Sequence, residues 1–75
     1  MPEAEESMRE LYDLLVQAAL FSETGISTQV AMQYMGVSRG TLSKFLNKIP
    51  GNLLQKTQKG RTNFYSINIE QLENI

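Results

Sequence analysis

The segment VAMQYMGVSRGTLSKFLNKI, residues 30–49, decides the fold, because a glycine in it separates two stretches of helical periodicity. Gly36 occupies the position at which a residue in the left-handed conformation commonly ends a helix. Ser38 follows this glycine and is a typical helix N-cap. The segment therefore predicts two short helices, over about 28–35 and 39–48, joined by a tight turn. The apolar residues expected to face a core from the second of these helices are Leu42, Phe45, Leu46 and Ile49.

The residues before this segment predict one longer helix and a very short strand. Ser7 followed by Glu10 forms a capping-box pattern, and apolar residues recur behind it at helical spacing. We therefore predict a first helix over about 8–21, with residues 1–7 flexible. Ile26 is an isolated apolar residue, which is typical of a very short strand before the next helix. That next helix is expected to have Ser27 or Thr28 as its N-cap and Val30, Ala31, Tyr34 and Met35 on its apolar side.

The part of the chain after Pro50 changes from helical to alternating periodicity, which predicts a β-hairpin. Two runs, 53–57 and 62–68, contain strand-forming residues and flank a polar, basic turn at 58–61. Gly60 in this turn is free to adopt a positive φ. The turn is therefore expected to project several cations from the end of the hairpin.

The end of the chain has a pattern typical of a short helix, because Asn68 is followed three residues later by Gln71. Seventy-five residues, of which 41% are apolar and 20% charged, describe one small domain rather than several. We therefore predict a single domain, 1–75, that is mainly α with a small β-hairpin (α+β). It contains three helices, a two- or three-stranded sheet and a short C-terminal helix.

The absence of cysteine and histidine from the sequence excludes disulfides, zinc fingers and thiol or imidazole chemistry. Without these residues or a Gly-rich phosphate loop, no general acid–base pair or activated nucleophile is recognisable. We therefore predict that the protein is not an enzyme and uses no metal or cofactor. No apolar run approaches the roughly 18 residues that span a membrane, and the acidic N-terminus is untypical of a signal peptide. A cytoplasmic protein with no membrane partner is expected.

The charges are segregated along the chain, although the formal net charge is only −1. Residues 1–23 contain six acidic residues and one arginine, whereas residues 24–69 contain six cations and no acidic residue. A chain with this layout can present one strongly positive surface, which is what binding to a polyanion requires. The charge pattern therefore favours a nucleic acid as the partner.

The order of elements, helix, helix, glycine turn, helix and basic hairpin, resembles a winged helix-turn-helix. Residues 30–43 look like the turn and recognition helix of bacterial and archaeal transcriptional regulators, with residues 36–38 as the turn. Residues 59–68 are similar to the wing of ArsR-type and MarR-type repressors. The resemblance implies a transcriptional regulator in which helix 39–48 enters the major groove of double-stranded DNA. It also implies that the wing at 58–61 reaches the minor groove or the backbone.

The candidate DNA-binding residues are polar or basic residues of the predicted third helix and hairpin. Arg39 is the strongest candidate for reading a base, because a guanidinium pairs with guanine O6 and N7. Asn47 can pair with adenine, and the small Gly40 would let the helix approach DNA closely. Arg61 follows the turn glycine and is placed for insertion into a narrow minor groove. The full set is Thr28, Ser38, Arg39, Gly40, Thr41, Ser43, Lys44, Asn47, Lys56, Lys59, Arg61 and Thr62.

Two further expectations concern partners. A single domain of this size would bury only about 600 to 1,000 Å² against DNA, too little for selective binding, so a homodimer on a symmetric site is expected. The alternative to DNA binding is a protein–protein adaptor that uses the acidic first helix as its docking surface. Binding to single-stranded nucleic acid is a variant of the main prediction.

Overall fold

The computed structural model describes residues 2–73, and the surroundings of the side chains for residues 5–72. Within that range the chain forms four helices and one three-stranded antiparallel sheet, so the predicted small α+β fold is confirmed at this level. In chain order the elements are α1 (Pro2–Phe21), β1 (Ile26–Ser27), α2 (Thr28–Met35), α3 (Arg39–Asn47), β2 (Leu54–Lys59), β3 (Thr62–Ile67) and α4 (Ile69–Glu73). Strand β3 lies at the centre of the sheet, between β1 and β2.

Helix α1 begins at Pro2, so the predicted start at residue 8 is wrong. The segment 2–7, which we expected to be flexible, is helical, and Ser7 lies inside the helix rather than at its N-cap. Residue 1 lies outside the described residues. Proline is compatible with the first helical position, because its missing N–H would have no partner there. Acidic residues such as Glu5 also favour the positive end of the helix dipole.

Helices α2 and α3 occupy the predicted ranges to within a residue, and hydrogen-bonded caps explain their starting points. Val30 N donates to Ser27 Oγ at 3.2 Å, which makes Ser27 the N-cap of α2. Gly36 ends α2 with a φ of 67°, in the left-handed region that favours glycine. Ser38 then caps α3 by accepting a hydrogen bond from Thr41 N at 3.2 Å. Both N-cap contacts join residues three positions apart, which is why the local sequence predicts them.

Helix α4 follows β3 after a single residue, Asn68. Gln71 N donates to Asn68 Oδ1 at 3.4 Å, which is the predicted cap. Asn68 N in turn donates to the carbonyl of Leu53 at 2.7 Å, so the start of α4 is held against the residue before β2. The prediction extended this helix beyond Glu73, but residues 74 and 75 lie outside the described residues.

The β2–β3 hairpin is tighter than predicted. Its last strand pair joins Lys59 to Thr62, which leaves a two-residue turn, Gly60 and Arg61, in place of the predicted turn at 58–61. Gly60 has a φ of 62°, and positive φ in the described chain is confined to glycines, so the turn has the φ pattern of type II′. Such turns match the right-handed twist of paired strands, which lets the strands continue up to the turn.

Strand β1 joins the first half of the chain to this hairpin. Ile26 pairs with Tyr65 and Ser27 with Phe64, which makes the sheet three-stranded. Gly25, just before β1, has a φ of 105°, and a Cβ built on it would lie 2.6 Å from the carbonyl oxygen of Tyr65. The backbone of the α1–β1 corner therefore approaches β3 more closely than a side chain permits.

The core collects apolar residues from α1, α2, α3 and β3. On α3 the predicted stripe is buried except at Phe45, which is half-buried. On α2 the predicted apolar side is wrong at Val30 and Tyr34, which are 49% and 64% exposed. This short helix contacts the core through Ala31, with Met32 and Met35 partly buried beside it, whereas Val30 and Tyr34 lie outside that contact. The buried apolar residues are Leu11, Leu14, Leu15, Ala31, Leu42, Leu46, Ile49, Leu53 and Ile67.

Candidate nucleic-acid interface

A polar groove of about 240 Å³ separates the N-terminal ends of α2 and α3 from the tip of the β2–β3 hairpin. Arg39, the first residue of α3, and Arg61, in the hairpin turn, both line it. Two guanidinium groups that are distant in sequence therefore border one space. Its lining consists of Thr28, Gln29, Arg39, Ser43, Arg61, Thr62, Asn63 and Tyr65.

A second groove, of about 310 Å³, continues this surface along α3 towards β2. Ser43 and Tyr65 line both grooves, so the two form one concave surface between α3 and the sheet. The second groove adds two predicted DNA-binding residues, Asn47 and Lys56, together with Leu46 and Leu54. We call the combined surface the basic groove, and it contains seven of the twelve predicted residues: Thr28, Arg39, Ser43, Asn47, Lys56, Arg61 and Thr62.

The two walls of the basic groove are held together by contacts close to its floor. Thr28 Oγ1 donates to the carbonyl of Asn63 at 3.4 Å, which ties the start of α2 to β3. Tyr65 is half-buried and packs against the core, so the floor of the groove is also part of the hydrophobic interior. These two contacts fix the position of the hairpin relative to the start of α2 and to the core.

Two of the predicted residues, Ser38 and Thr41, are used locally by α3. Ser38 Oγ accepts from Thr41 N and lies 3.0 Å from Thr41 Oγ1, to which it donates. The two hydroxyl groups are therefore hydrogen-bonded to each other at the N-terminus of the helix. Neither residue lines the basic groove.

Gly40 and Lys44 lie on the outer side of α3, beside the basic groove. Both are exposed, and they are four positions apart, which places them one above the other on one helix face. A Cβ added to Gly40 would meet no atom within 4 Å, so its surroundings are open. This face of α3 is free to approach a large partner.

Lys59 lies on the other face of the sheet, away from the basic groove. Its Nζ donates to Thr24 Oγ1 at 3.3 Å, in the loop between α1 and β1. Lys56 precedes Lys59 by three residues, an odd number, and side chains of a strand alternate between faces. The structure therefore separates two lysines that the sequence analysis placed in one set.

The two faces of the sheet also differ in the sign of their charge. Among the residues that the structure describes, those that line the basic groove include Arg39, Lys56 and Arg61 and no carboxylate. A groove of about 240 Å³ on the other side is lined by Glu23 and Glu70. The α3 side of the sheet therefore has a positive potential, whereas the opposite side carries two carboxylates together with Lys59.

The basic groove also includes Asn63 and Tyr65 of β3 and Gln29 of α2, which are not in the predicted DNA-binding set. Asn63 and Tyr65 alternate with Phe64 along the strand, and alternation places every second residue on one face. Lys56 pairs with Tyr65, so the register of the hairpin also places Tyr65 on the same face of the sheet as Lys56. The alternation along β3 could have identified Asn63 and Tyr65 as residues of one face. The sequence does not show, however, that this face of the sheet is the one beside α3.

Comparison with known proteins yields no relative: no protein-family model, curated protein or solved structure matches the chain. Within the described residues, no helix is both long and apolar enough to cross a membrane. The same residues contain no cluster of three or more acidic side chains that would hold a metal ion. The basic groove is therefore the feature of the molecule that bears on its function.

Proposed function

We propose that this chain is a winged helix domain that binds double-stranded DNA and acts as a transcriptional regulator. In this proposal α3 enters the major groove, while the β2–β3 hairpin contacts the minor groove or the backbone. The observation that carries the proposal is the basic groove, where Arg39 and Arg61 come from two different elements and border one space, with no carboxylate among its described lining residues. A double helix can contact both elements at once.

The outer face of α3 has the shape and chemistry that a major groove accepts. B-DNA has a major groove about 12 Å wide, which admits one α-helix. Gly40 and Lys44 on this face are exposed, so the helix backbone can approach closely and a cation can reach a phosphate. Arg39 at the start of the helix is suited to guanine, and Asn47 in its last turn to adenine. These two residues are the proposed base-reading contacts.

The tip of the hairpin provides the second contact. Arg61 is exposed in a two-residue turn, so its guanidinium extends beyond the last strand pair. Arginine in such a position can enter a narrow minor groove, where the negative potential is strongest. Lys56, on the face of β2 that borders the basic groove, supports this contact by neutralising a phosphate.

The experiment that tests the proposal compares two double variants of equal charge. Arg39→Ala with Arg61→Ala removes two cations from the basic groove. Lys48→Ala with Lys59→Ala also removes two cations, one at the opposite end of α3, where Lys48 is the C-cap, and one in the same hairpin. Lys48 Nζ lies 5.9 Å from the centre of the Phe45 ring, and Lys59 bonds to Thr24. Binding to a mixed-sequence DNA duplex is measured for both by fluorescence anisotropy across a salt series.

The first double variant is expected to bind at least about tenfold more weakly, and its log–log salt slope should become less steep by about 2. The second should lose only a few-fold, because net charge alone changes the long-range attraction modestly. Equal losses in the two double variants would contradict the basic groove as the contact surface. No duplex binding by the wild-type chain would contradict the function itself and leave the acidic α1 adaptor as the alternative.

A further inference from the structure

A third groove, of about 430 Å³, lies between the C-terminal end of α1 and the β1–α2 corner. Its lining is mainly apolar, with Leu14, Ala18, Ile26 and Phe64 among its residues, and none of the described lining residues is charged. We call it the apolar groove. The core buries part of this lining, at Leu14 and Ile26, but the proposed DNA contact does not use the surface.

The edge of the apolar groove carries an unusually exposed aromatic residue. Phe21, the last residue of α1, lines the groove and is 85% exposed, and Val30 on the facing side is 49% exposed. A fully exposed phenylalanine beside an apolar depression leaves hydrophobic surface in water that burial would remove. Exposed apolar patches of this kind mark interaction sites in soluble proteins.

We propose that the apolar groove receives Phe21 of a second copy of this chain, which forms a two-fold symmetric dimer. A two-fold interface brings the same patch of both copies together, so a patch must contain both the projection and the depression. Phe21 and the groove satisfy this condition, because the same residue that lines the groove also projects from its edge. The groove residues carry no charge, so two copies bring no like charges together inside it.

The choice of a second copy as the occupant rests in part on the proposed function. One domain covers too little DNA for selective binding, and two copies on a symmetric site remove that limit. Ser27 and Val30 line the apolar groove whereas Thr28 lines the basic groove, so the two surfaces diverge at the start of α2. A dimer formed through the apolar groove therefore leaves the basic groove of each copy open to DNA.

The size of the patch sets the expected strength of the dimer. Phe21, Val30 and the groove between them offer on the order of a few hundred Å² per copy, less than the roughly 800 Å² per partner of a stable interface. Free dimers should therefore be weak and populated only at micromolar to millimolar concentration. Adjacent half-sites on DNA hold two copies together, which raises their effective concentration and favours the same contact.

The test is sedimentation equilibrium without DNA on the wild-type chain and two single variants. Phe21→Ser removes the projecting ring, and Leu20→Ser is the matched control, because Leu20 is the adjacent residue, is 60% exposed and does not line the groove. Self-association is expected to weaken about tenfold or more in Phe21→Ser and less than about twofold in Leu20→Ser. Both positions are exposed, and circular dichroism verifies that both variants fold.

A second measurement locates the contact. The natural sequence has no cysteine, so a mixture of Phe21→Cys and Val30→Cys chains reports proximity without background. Oxidation should yield disulfide dimers that contain one chain of each variant, whereas a mixture of Phe21→Cys and Lys48→Cys should not. Mass spectrometry identifies the pairs.

A wild-type chain that stays monomeric up to millimolar concentration would overturn the proposal, as would equal weakening in the two serine variants. Duplex binding separates this result from the proposed function. If Phe21→Ser remains monomeric but keeps binding that depends on Arg39 and Arg61, the function stands independently of the dimer. If the dimer forms and no duplex binds, the self-association stands and the DNA proposal is wrong.

Discussion

The basic groove and the apolar groove lie on opposite sides of the β1–α2 corner, and neighbouring residues serve different grooves. Thr28 lines the first, while Ser27 lines the second. In the part of the chain that the structure describes, three cations and no carboxylate line the basic groove, whereas the apolar groove is lined by uncharged residues that include an exposed phenylalanine. A small domain can therefore present two surfaces that attract their partners by different physical interactions. Long-range attraction acts at one surface, and removal of apolar area from water acts at the other.

The largest expected difference between the two grooves is in how strongly binding at each of them depends on salt concentration. If Arg39, Lys44, Lys56 and Arg61 each neutralise one phosphate, the log–log slope of duplex affinity against salt is about −4. An approximately fourfold rise in salt then weakens duplex binding by about two orders of magnitude, while self-association changes less than about twofold. Fluorescence anisotropy and sedimentation over one salt series measure the two responses. A duplex affinity that does not respond to salt would contradict the role of the basic groove.

Gly25→Ala is expected to damage both grooves at once. Gly25 lines the apolar groove, and its close neighbour, the backbone of Tyr65, belongs to the floor of the basic groove. An added Cβ would meet a backbone carbonyl at 2.6 Å and would also hold alanine at a φ of 105°. The free energy of unfolding should fall by about 2 kcal/mol or more, measured by urea denaturation.

Gly51→Ala is the matched control for this substitution. Gly51 is exposed, and a Cβ there would meet no atom within 4 Å. Its effect on the free energy of unfolding should stay within about 0.5 kcal/mol. Equal stability of the two alanine variants would show that the α1–β1 corner does not need the close approach to β3.

Ser38→Ala gives the smallest of these effects and tests how α3 is positioned beside the basic groove. The substitution removes the acceptor for Thr41 N, which should lower the free energy of unfolding by about 1 kcal/mol. Ser38→Gly should cost only a few tenths of a kcal/mol, because glycine leaves the helix terminus accessible to water. Thermal denaturation measures both, with Ser43→Ala, which lies within the helix and caps nothing, as the control. An unchanged midpoint in Ser38→Ala would mean that tertiary packing alone sets the start of α3.

The structure brings part of the predicted DNA-binding set together at one surface, which the sequence alone could not establish. The sequence could show that cations cluster between residues 24 and 69, but it could not show which of them border one space. Arg39 and Arg61 meet at one groove because β3 pairs with β1 and thereby brings the hairpin beside the start of α2 and α3. Lys59 has the same charge and lies in the same hairpin, yet it bonds to Thr24 on the other face. Strand parity separates it from Lys56.

The exposed apolar residues of α2 likewise show that the sequence alone does not determine which residues are buried in the core. Val30 and Tyr34 fit the helical spacing of a buried stripe as well as Ala31 does, but only Ala31 is buried. Periodicity identifies a face of a helix, whereas burial depends on which part of that face another element covers. For a helix as short as α2, one strip of contact is enough to hold it. The apolar residues beside that strip are then available to a partner.

The amino-acid sequence by itself determined the ends of α2 and α3, the start of α4 and the presence of the hairpin. These features depend on contacts over a few residues, such as the cap at Ser27 and the left-handed Gly36. Only the tertiary structure decided that Arg39 and Arg61 share a groove, that Phe21 stays exposed and that Lys59 faces away. The physical reason is range: backbone hydrogen bonds and turn conformations are set locally, whereas a shared surface depends on how the packed elements exclude water together.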